Sequence, residues 1–442
     1  MSFAGLSLHP TLLTRLAELN YQQATPIQLS AIPVILSGKD VMAGAQTGTG
    51  KTAAFALPIL QSILNQQLHA PSQLTQALST ETQSISTQAQ SPQTQEKPQS
   101  ISKVIRALVL VPTRELAQQV HHSIEQYAHG SGITSVMVYG GVSIGAQITQ
   151  LNNGTDILVA TPGRLLDLLR KRTLTLSQLT HLVFDEADRM LDMGFKDEII
   201  DVLKQVPKTR QTLLFSATLD DRIFSFSKRL LQSPKVIEVA KRNTTAASIV
   251  ERVYNLDGNR KCAALCHLIK VENWQQALIF SRTKQGADAL VKQMKQAGVS
   301  AEAFHADLSQ AVREQVLSQF KSGELTALVA TDVAARGLDI NELNYVVNME
   351  LPFQVEDYVH RIGRTGRAGN QGQAITLLSV DDEPLLIKLE TFLDRRLPQQ
   401  WLAGYEPDLD QMAVTTRKTT KSALKQQARK KALGQRPSRN KK

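Results

Sequence analysis

Val41-Met42-Ala43-Gly44-Ala45-Gln46-Thr47-Gly48-Thr49-Gly50-Lys51-Thr52 carries an apolar run into a glycine-punctuated loop and then into helix-forming sequence. Strand, loop and helix in that order mark a parallel α/β unit, because parallel strands are joined through a crossover, usually a helix. Gly48 and Gly50 let successive backbone N–H groups converge at a helix N-terminus, a natural anion site. The stretch reads as a phosphate-binding P-loop, with Ala45, Gln46, Thr47, Gly48, Thr49, Gly50, Lys51 and Thr52 around a nucleoside triphosphate. Lys51 reaches the β and γ phosphates, and the Thr52 hydroxyl is placed to bind Mg²⁺. Ala45 stands where the motif usually has its first glycine, a small departure at a residue that need not approach the phosphates as closely as Gly50.

Short β-branched runs at 104–111, 135–139, 157–160, 182–184 and 212–215 alternate with longer stretches of helical spacing. That alternation predicts a mainly parallel sheet covered on both faces by helices. A second series at 277–280, 301–304, 327–330, 345–348 and 374–378 predicts a second such domain. With 442 residues and 42% hydrophobic content, the chain suits two cores rather than one. The expected division is residues 1–240, a polar linker Lys241-Arg242-Asn243-Thr244-Thr245-Ala246-Ala247-Ser248, a second domain over 249–395 and a tail over 396–442. Residues 66–102 are rich in Gln, Ser and Thr and have no aromatic residue, which predicts a disordered surface insertion.

The formal charge of +10 is unevenly placed: residues 411–442 hold eleven Lys or Arg and no Asp or Glu. Without them, 39 basic residues face 40 acidic ones, so the cationic excess is confined to a tail suited to polyanions. No apolar run reaches membrane-spanning length and Met1-Ser2-Phe3-Ala4-Gly5 lacks the order of a secretory signal, so a soluble cytoplasmic protein is expected. Cys262 and Cys266 lack a second Cys/His cluster and read as reduced thiols on a helix rather than zinc ligands.

Leu182-Val183-Phe184 runs into Asp185-Glu186-Ala187-Asp188, which puts carboxylates at the C-terminal edge of a strand, where open α/β sheets bind ligands. Asp185 is placed to hold Mg²⁺, and Glu186 to orient and deprotonate a water that attacks the γ-phosphate. Without the P-loop upstream, the same acids would simply cap a helix. His360-Arg361-Ile362-Gly363-Arg364-Thr365-Gly366-Arg367 spaces Arg364 and Arg367 to meet one anion, as guanidinium groups do in phosphoryl transfer. Taken alone, this turn is equally a solvated basic loop. Upstream, Thr25-Pro26-Ile27-Gln28 offers an amide that matches an adenine edge, and Phe3 a ring that stacks on it. Gln28 by itself is an ordinary polar helix residue.

These blocks, in this order from Phe3 to about Arg395, resemble the DEAD-box helicases, and by general similarity and the basic tail their bacterial RhlE-type branch. Further blocks that carry the resemblance are Pro112-Thr113-Arg114-Glu115-Leu116-Ala117, Gly140-Gly141, Thr161-Pro162-Gly163-Arg164, Ser216-Ala217-Thr218, Phe280-Ser281-Arg282-Thr283, Gln310 with Arg313, and Ala330-Thr331-Asp332 through Asp339. The resemblance implies two tandem RecA-like domains and an RNA-dependent ATPase that unwinds short RNA duplexes and remodels RNA–protein complexes. It implies RNA backbone contacts from Thr113, Arg114, Gly141, Thr161, Arg164, Arg282, Arg313 and Thr331. It also implies a ribose contact from Asp339, with Asp188, Ser216, Thr218 and His360 coupling nucleotide to RNA. Ala24 replaces the usual Pro and Asn20 the usual Gly, which places the adenine-reading loop slightly off the family pattern.

Single-stranded and short duplex RNA are the expected partners, beside ribosome-assembly or RNA-decay proteins, and a monomer is expected. Two rivals use the same motifs: an ATP-gated clamp that pins protein on RNA with little unwinding, and a DNA helicase. RNA against DNA of one sequence separates the last through the 2′-OH.

Overall fold

The computed structural model describes residues 2–45, 48–69, 104–239, 249–335, 338, 340, 343–366 and 371–408. They form two compact units, divided at Thr244 and Thr245. The first sheet contains β1 (Val41–Gly44), β2 (Ala107–Leu110), β3 (Ser135–Val138), β4 (Ile157–Ala160), β5 (His181–Phe184), β6 (Gln211–Ser216) and β7 (Lys235–Glu238). The second contains β8 (Ile249–Asn255), β9 (Ala277–Phe280), β10 (Ala301–Phe304), β11 (Ala327–Ala330), β12 (Tyr345–Asn348), β13 (Gly372–Leu378) and β14 (Gln399–Trp401). Their orders are β3-β4-β2-β5-β6-β1-β7 and β10-β11-β9-β12-β13-β8-β14, and every pairing is parallel. One order thus serves both units, strand for strand, as tandem RecA-like domains require.

Alternate residues of the central strands enter different cores. Ala107 and Val109 of β2 join the cluster built on the helix Lys51–His69, while Leu108 and Leu110 join the cluster around Phe184 and Met190. A strand buried on both faces needs an unbroken apolar run, and Ala-Leu-Val-Leu is one. β2 and β9 both lead into helices capped by threonine: Thr113 Oγ1 accepts from Leu116 N at 3.3 Å and Thr283 Oγ1 from Gly286 N at 2.9 Å.

Two expected boundaries are corrected. Gln66 to His69 continue the helix that begins at Lys51, so the irregular insertion does not start at 66; Gln and Leu are good helix formers and prolong a helix already nucleated. The second unit does not stop at 395, since Leu397 is buried, β14 pairs with β8, and Leu402 and Tyr405 pack on its core. A three-residue edge strand has too little pattern to be read from sequence. β7 was also missed: a solvated edge strand with one buried residue shows no apolar run. The linker 241–248, residues 70–103 and the chain after Asp408 lie outside the described residues. Cys262 and Cys266 are free thiols on the helix Lys261–Val271. Among the described residues, no helix is long and apolar enough to cross a membrane.

Candidate functional site

In the first sheet β5, β6 and β1 are neighbours, so the residues that follow them meet at one C-terminal edge. β1 delivers the P-loop, β5 delivers Asp185 and Glu186, and β6 delivers Ser216. Ala45 N donates to Ser216 O at 3.0 Å, which fixes the loop base to the β6 end. Gly48 and Gly50 have φ of 85° and 90°. At Gly50 a side chain would strike Gln28 Nε2, so only glycine serves there. Lys51 is buried, and its Nζ donates to Ala45 O at 2.9 Å, which folds the ammonium back over the loop.

Asp185 is 3% exposed and its Oδ1 has no hydrogen-bond partner. Burial pushes its pKa up to about 6 against the pull of Lys51, and the neighbouring Glu186 adds to the rise. An unpartnered buried carboxylate oxygen beside a phosphate loop fits a hard divalent cation. Glu186 takes left-handed backbone angles, φ 56° and ψ 53°, rare for a residue with a side chain and a mark of a constrained site. Its carboxylate pairs with buried Arg189.

Asp188 carries the connection to β6. Its Oδ2 accepts from Ala217 N at 3.1 Å and from Thr218 N and Oγ1 at 3.0 and 3.2 Å. Its Oδ1 accepts from Arg189 N at 2.9 Å. The acids after β5 and the Ser-Ala-Thr turn after β6 are therefore one bonded body.

The adenine-reading pair is placed differently from expectation. Phe3 is 3% exposed in the 3₁₀ turn Phe3–Leu6, its ring edge-on to Tyr21 at 6.3 Å, so an open stacking ring is corrected to a core residue. Its apolar surface gains more from the core than from water. Gln28 is buried and both amide atoms are engaged, Oε1 with Thr25 N at 2.8 Å and Nε2 with Gly50 O at 3.1 Å. Gln28 thus ties the helix Pro26–Leu36 to the P-loop. Gln46, Thr47, Asp339 and Arg367 lie outside the described residues.

The other half of the same edge, after β2, β3 and β4, gathers Thr113, Arg114, Gly141, Thr161 and Arg164. Gly141 has φ 81°, and the Arg114 guanidinium occupies the space a side chain there would fill. Arg164 donates to Gln147 Oε1 and Val142 O, each at 2.9 Å, while Thr161 precedes the helix Pro162–Arg170.

In the second unit Arg282, Thr331 and Arg313 follow β9, β11 and β10. Arg313 is 9% exposed with its guanidinium 4.5 Å from the Phe304 ring centre, and Thr331 is buried. Arg364 is buried in the turn after the helix Val355–Ile362, whose His360 lies 3.9 Å from Asp357. Arg361 escaped the sequence reading. It is 1% exposed, bonds Asp332 from Nε at 2.6 Å and Nη2 at 2.7 Å, and reaches Asn348 Oδ1 at 3.0 Å and Glu350 O at 2.7 Å. That bidentate pair ties the segment after β11 to the arginine turn. In sequence it is one arginine among several, and only its partner sets it apart.

The model of the DEAD/DEAH box helicase family matches residues 25–225, and that of the helicase conserved C-terminal domain residues 260–369. The ATP-dependent RNA helicase CshA of Listeria monocytogenes is 39% identical over 417 residues, covering 94% of this chain and 74% of that protein. RNA helicase CrhR of Synechocystis is 38% identical over 397 residues, covering 90% and 73%. Among solved structures, S. cerevisiae Dbp5 bound to RNA and ADP BeF3 aligns with a TM-score of 0.75 at 28% identity, covering 94% of this chain and 99% of that one. DEAD-box helicase Mss116 bound to ssRNA and UDP-BeF aligns at 0.77 and 27% identity, covering 92% and 81%.

Proposed function

The chain belongs to the DEAD-box family of ATP-dependent RNA helicases, and from that premise we propose how its own residues divide the work. Gly48, Thr49, Gly50 and Lys51 hold the phosphates, Lys51 exchanging its bond to Ala45 O for a phosphate oxygen. Thr52 and Asp185 are the residues that would hold Mg²⁺, which when bound offsets the negative charge of the phosphates. Glu186 accepts the proton of the attacking water, aimed by its left-handed backbone and by Arg189. Arg364 and Arg367 stabilise charge on the transferred phosphoryl group, and Asp339 holds the ribose.

Thr113, Arg114, Gly141, Thr161 and Arg164 in the first unit and Arg282, Arg313 and Thr331 in the second grip the RNA backbone, without base specificity. Asp188, bonded to Ala217 and Thr218, relays RNA engagement to the acids beside the phosphates, with Ser216 and His360 in the same chain of coupling. Hydrolysis is therefore stimulated by RNA and coupled to local opening of short duplexes and to remodelling of RNA–protein complexes in the cytoplasm. We propose the RhlE-type branch on general similarity and the basic tail.

The observation that carries this reading is the junction of P-loop, acids and Ser-Ala-Thr turn at one sheet edge, with the RNA set at the adjoining strands. A short RNA duplex, the same sequence as DNA, and ATP turnover measured together test it. RNA-stimulated turnover with strand separation is expected. RNA-stimulated turnover without separation favours the clamp, and equal stimulation by DNA removes the RNA assignment.

A further inference from the structure

Phe353, in the turn after β12, leaves 68% of its surface exposed. Single exposed apolar residues are ordinary; what lies against this one is not. The Arg282 guanidinium carbon sits 5.1 Å from the Phe353 ring centre, within cation–π reach. Arg282 is held in place along one edge: Nε donates to Leu351 O at 2.6 Å and Nη2 pairs with Asp382. Its backbone N–H donates to Glu350 Oε2 at 3.1 Å.

Asp382 is 2% exposed and is fixed in turn by Lys261 Nζ at 2.7 Å and by the N–H and hydroxyl of Ser379 at 3.1 and 3.0 Å. Nη1 of Arg282 makes no hydrogen bond among the described residues. Pro352, buried beside Phe353, restrains the turn that carries the ring. The result is a layered stack: a fixed cation with one open donor, and on it an aromatic ring whose remaining surface faces water. Val312 and Val333, 41% and 48% exposed, border the neighbouring contacts Arg313 and Thr331 at the same sheet edge.

A ring backed by a cation, beside a row of backbone contacts, has the chemistry of single-strand binding, where the cation draws phosphate and the ring takes a base. A protein partner would call for a contiguous apolar patch, whereas Phe353 is bordered by Arg282 and exposed Gln354. We propose that Phe353 stacks on an unpaired base of the bound RNA, adding a sequence-tolerant contact to the backbone grip of the second unit. The proposal rests on the reading of Arg282 as a phosphate contact.

The test is equilibrium binding of a labelled single-stranded oligouridylate to the full chain with a non-hydrolysable ATP analogue, over a range of salt. Phe353→Ala should weaken binding about tenfold and leave the salt slope unchanged, because stacking releases no counterions. Phe353→Trp should bind at least as tightly as the native chain. A single abasic nucleotide walked along the RNA should at one position reduce native affinity to that of Phe353→Ala and cost that variant nothing further. Arg282→Gln should weaken binding and flatten the slope by about 0.7. If it does so while Phe353→Ala binds normally, the stacking is overturned and the phosphate reading stands; if neither variant changes binding, both are overturned. A Phe353→Ala loss that no abasic position reproduces also overturns the stacking.

Discussion

Both units place a lysine at the start of the helix that follows their first strand, Lys51 after β1 and Lys261 after β8, and both hold a buried carboxylate near it. There the likeness ends. Asp185 keeps an oxygen with no partner and its pKa is pushed up to about 6, because burial outweighs the pull of Lys51. Burial acts upward on Asp382 too, but Lys261, the Ser379 N–H and Arg282 overcome it and hold its carboxyl below the ordinary range. The first unit leaves a buried carboxylate oxygen unpartnered beside the P-loop; the second closes the same geometry into an ion-pair network. The same scaffold position thus holds an unsatisfied carboxylate in the first unit and a satisfied one in the second, so the second unit's proposed share of the chemistry rests elsewhere, on Arg364 and Arg367.

The widest test of that division asks whether the second unit contributes to chemistry at all. Arg367→Ala is expected to lower RNA-stimulated ATP turnover by about 10³-fold or more, the scale of an arginine finger. Unchanged turnover would confine the chemistry to the first unit. Glu186→Gln comes next, with a loss of about 10²- to 10⁴-fold while ATP and RNA still bind, because the amide keeps an oxygen for Arg189 but is no base. Near-native turnover removes Glu186 as the base.

The two carboxylates should respond with opposite signs. Asp382→Asn strands Lys261 and Arg282 and should destabilise the second unit by about 3 kcal/mol at pH 7.5, read by thermal or denaturant unfolding. Because its folded pKa is depressed, that stability exists above the unfolded value and is lost as pH falls through the folded one. The deficit of Asp382→Asn should therefore shrink in acid.

Asp185→Asn removes a buried charge that burial disfavours and should stabilise nucleotide-free protein in chelator by about 1 to 3 kcal/mol at pH 7.5, read by denaturant unfolding, while abolishing turnover. The folded pKa lies above the unfolded one, so the native carboxyl contributes stability below pH 3.8 that is lost as pH rises through about 6. The advantage of Asp185→Asn should accordingly vanish near pH 4. Equal shifts of one sign in both variants would break the comparison.

The smallest effect is expected from the basic segment at the end of the sequence. Removing residues 411–442, with their eleven Lys or Arg, should flatten the salt dependence of RNA affinity by about 0.7 per lost contact and raise the RNA needed for half-maximal turnover. The maximal rate should stay, because every proposed site residue lies upstream.

Sequence by itself determined the layered α/β architecture and the two-unit division, and it named the candidate chemical set of the ATP edge. Fully buried parallel strands require apolar runs, and phosphate chemistry requires glycines, a lysine and carboxylates at fixed spacing. It left out what depends on partners distant along the chain. Arg361 binds Asp332, 29 residues away, and Arg282 and Lys261 converge on Asp382 over 100 and 121 residues. No periodicity signals such pairs, because they arise only when strands far apart in sequence bring their ends to one edge. For the same reason the packing of Phe3 against Tyr21 and the bond of Gln28 to Gly50 could not be read from the sequence. Residue type says what a side chain can bond; only the tertiary structure decides which of those bonds the fold has already taken.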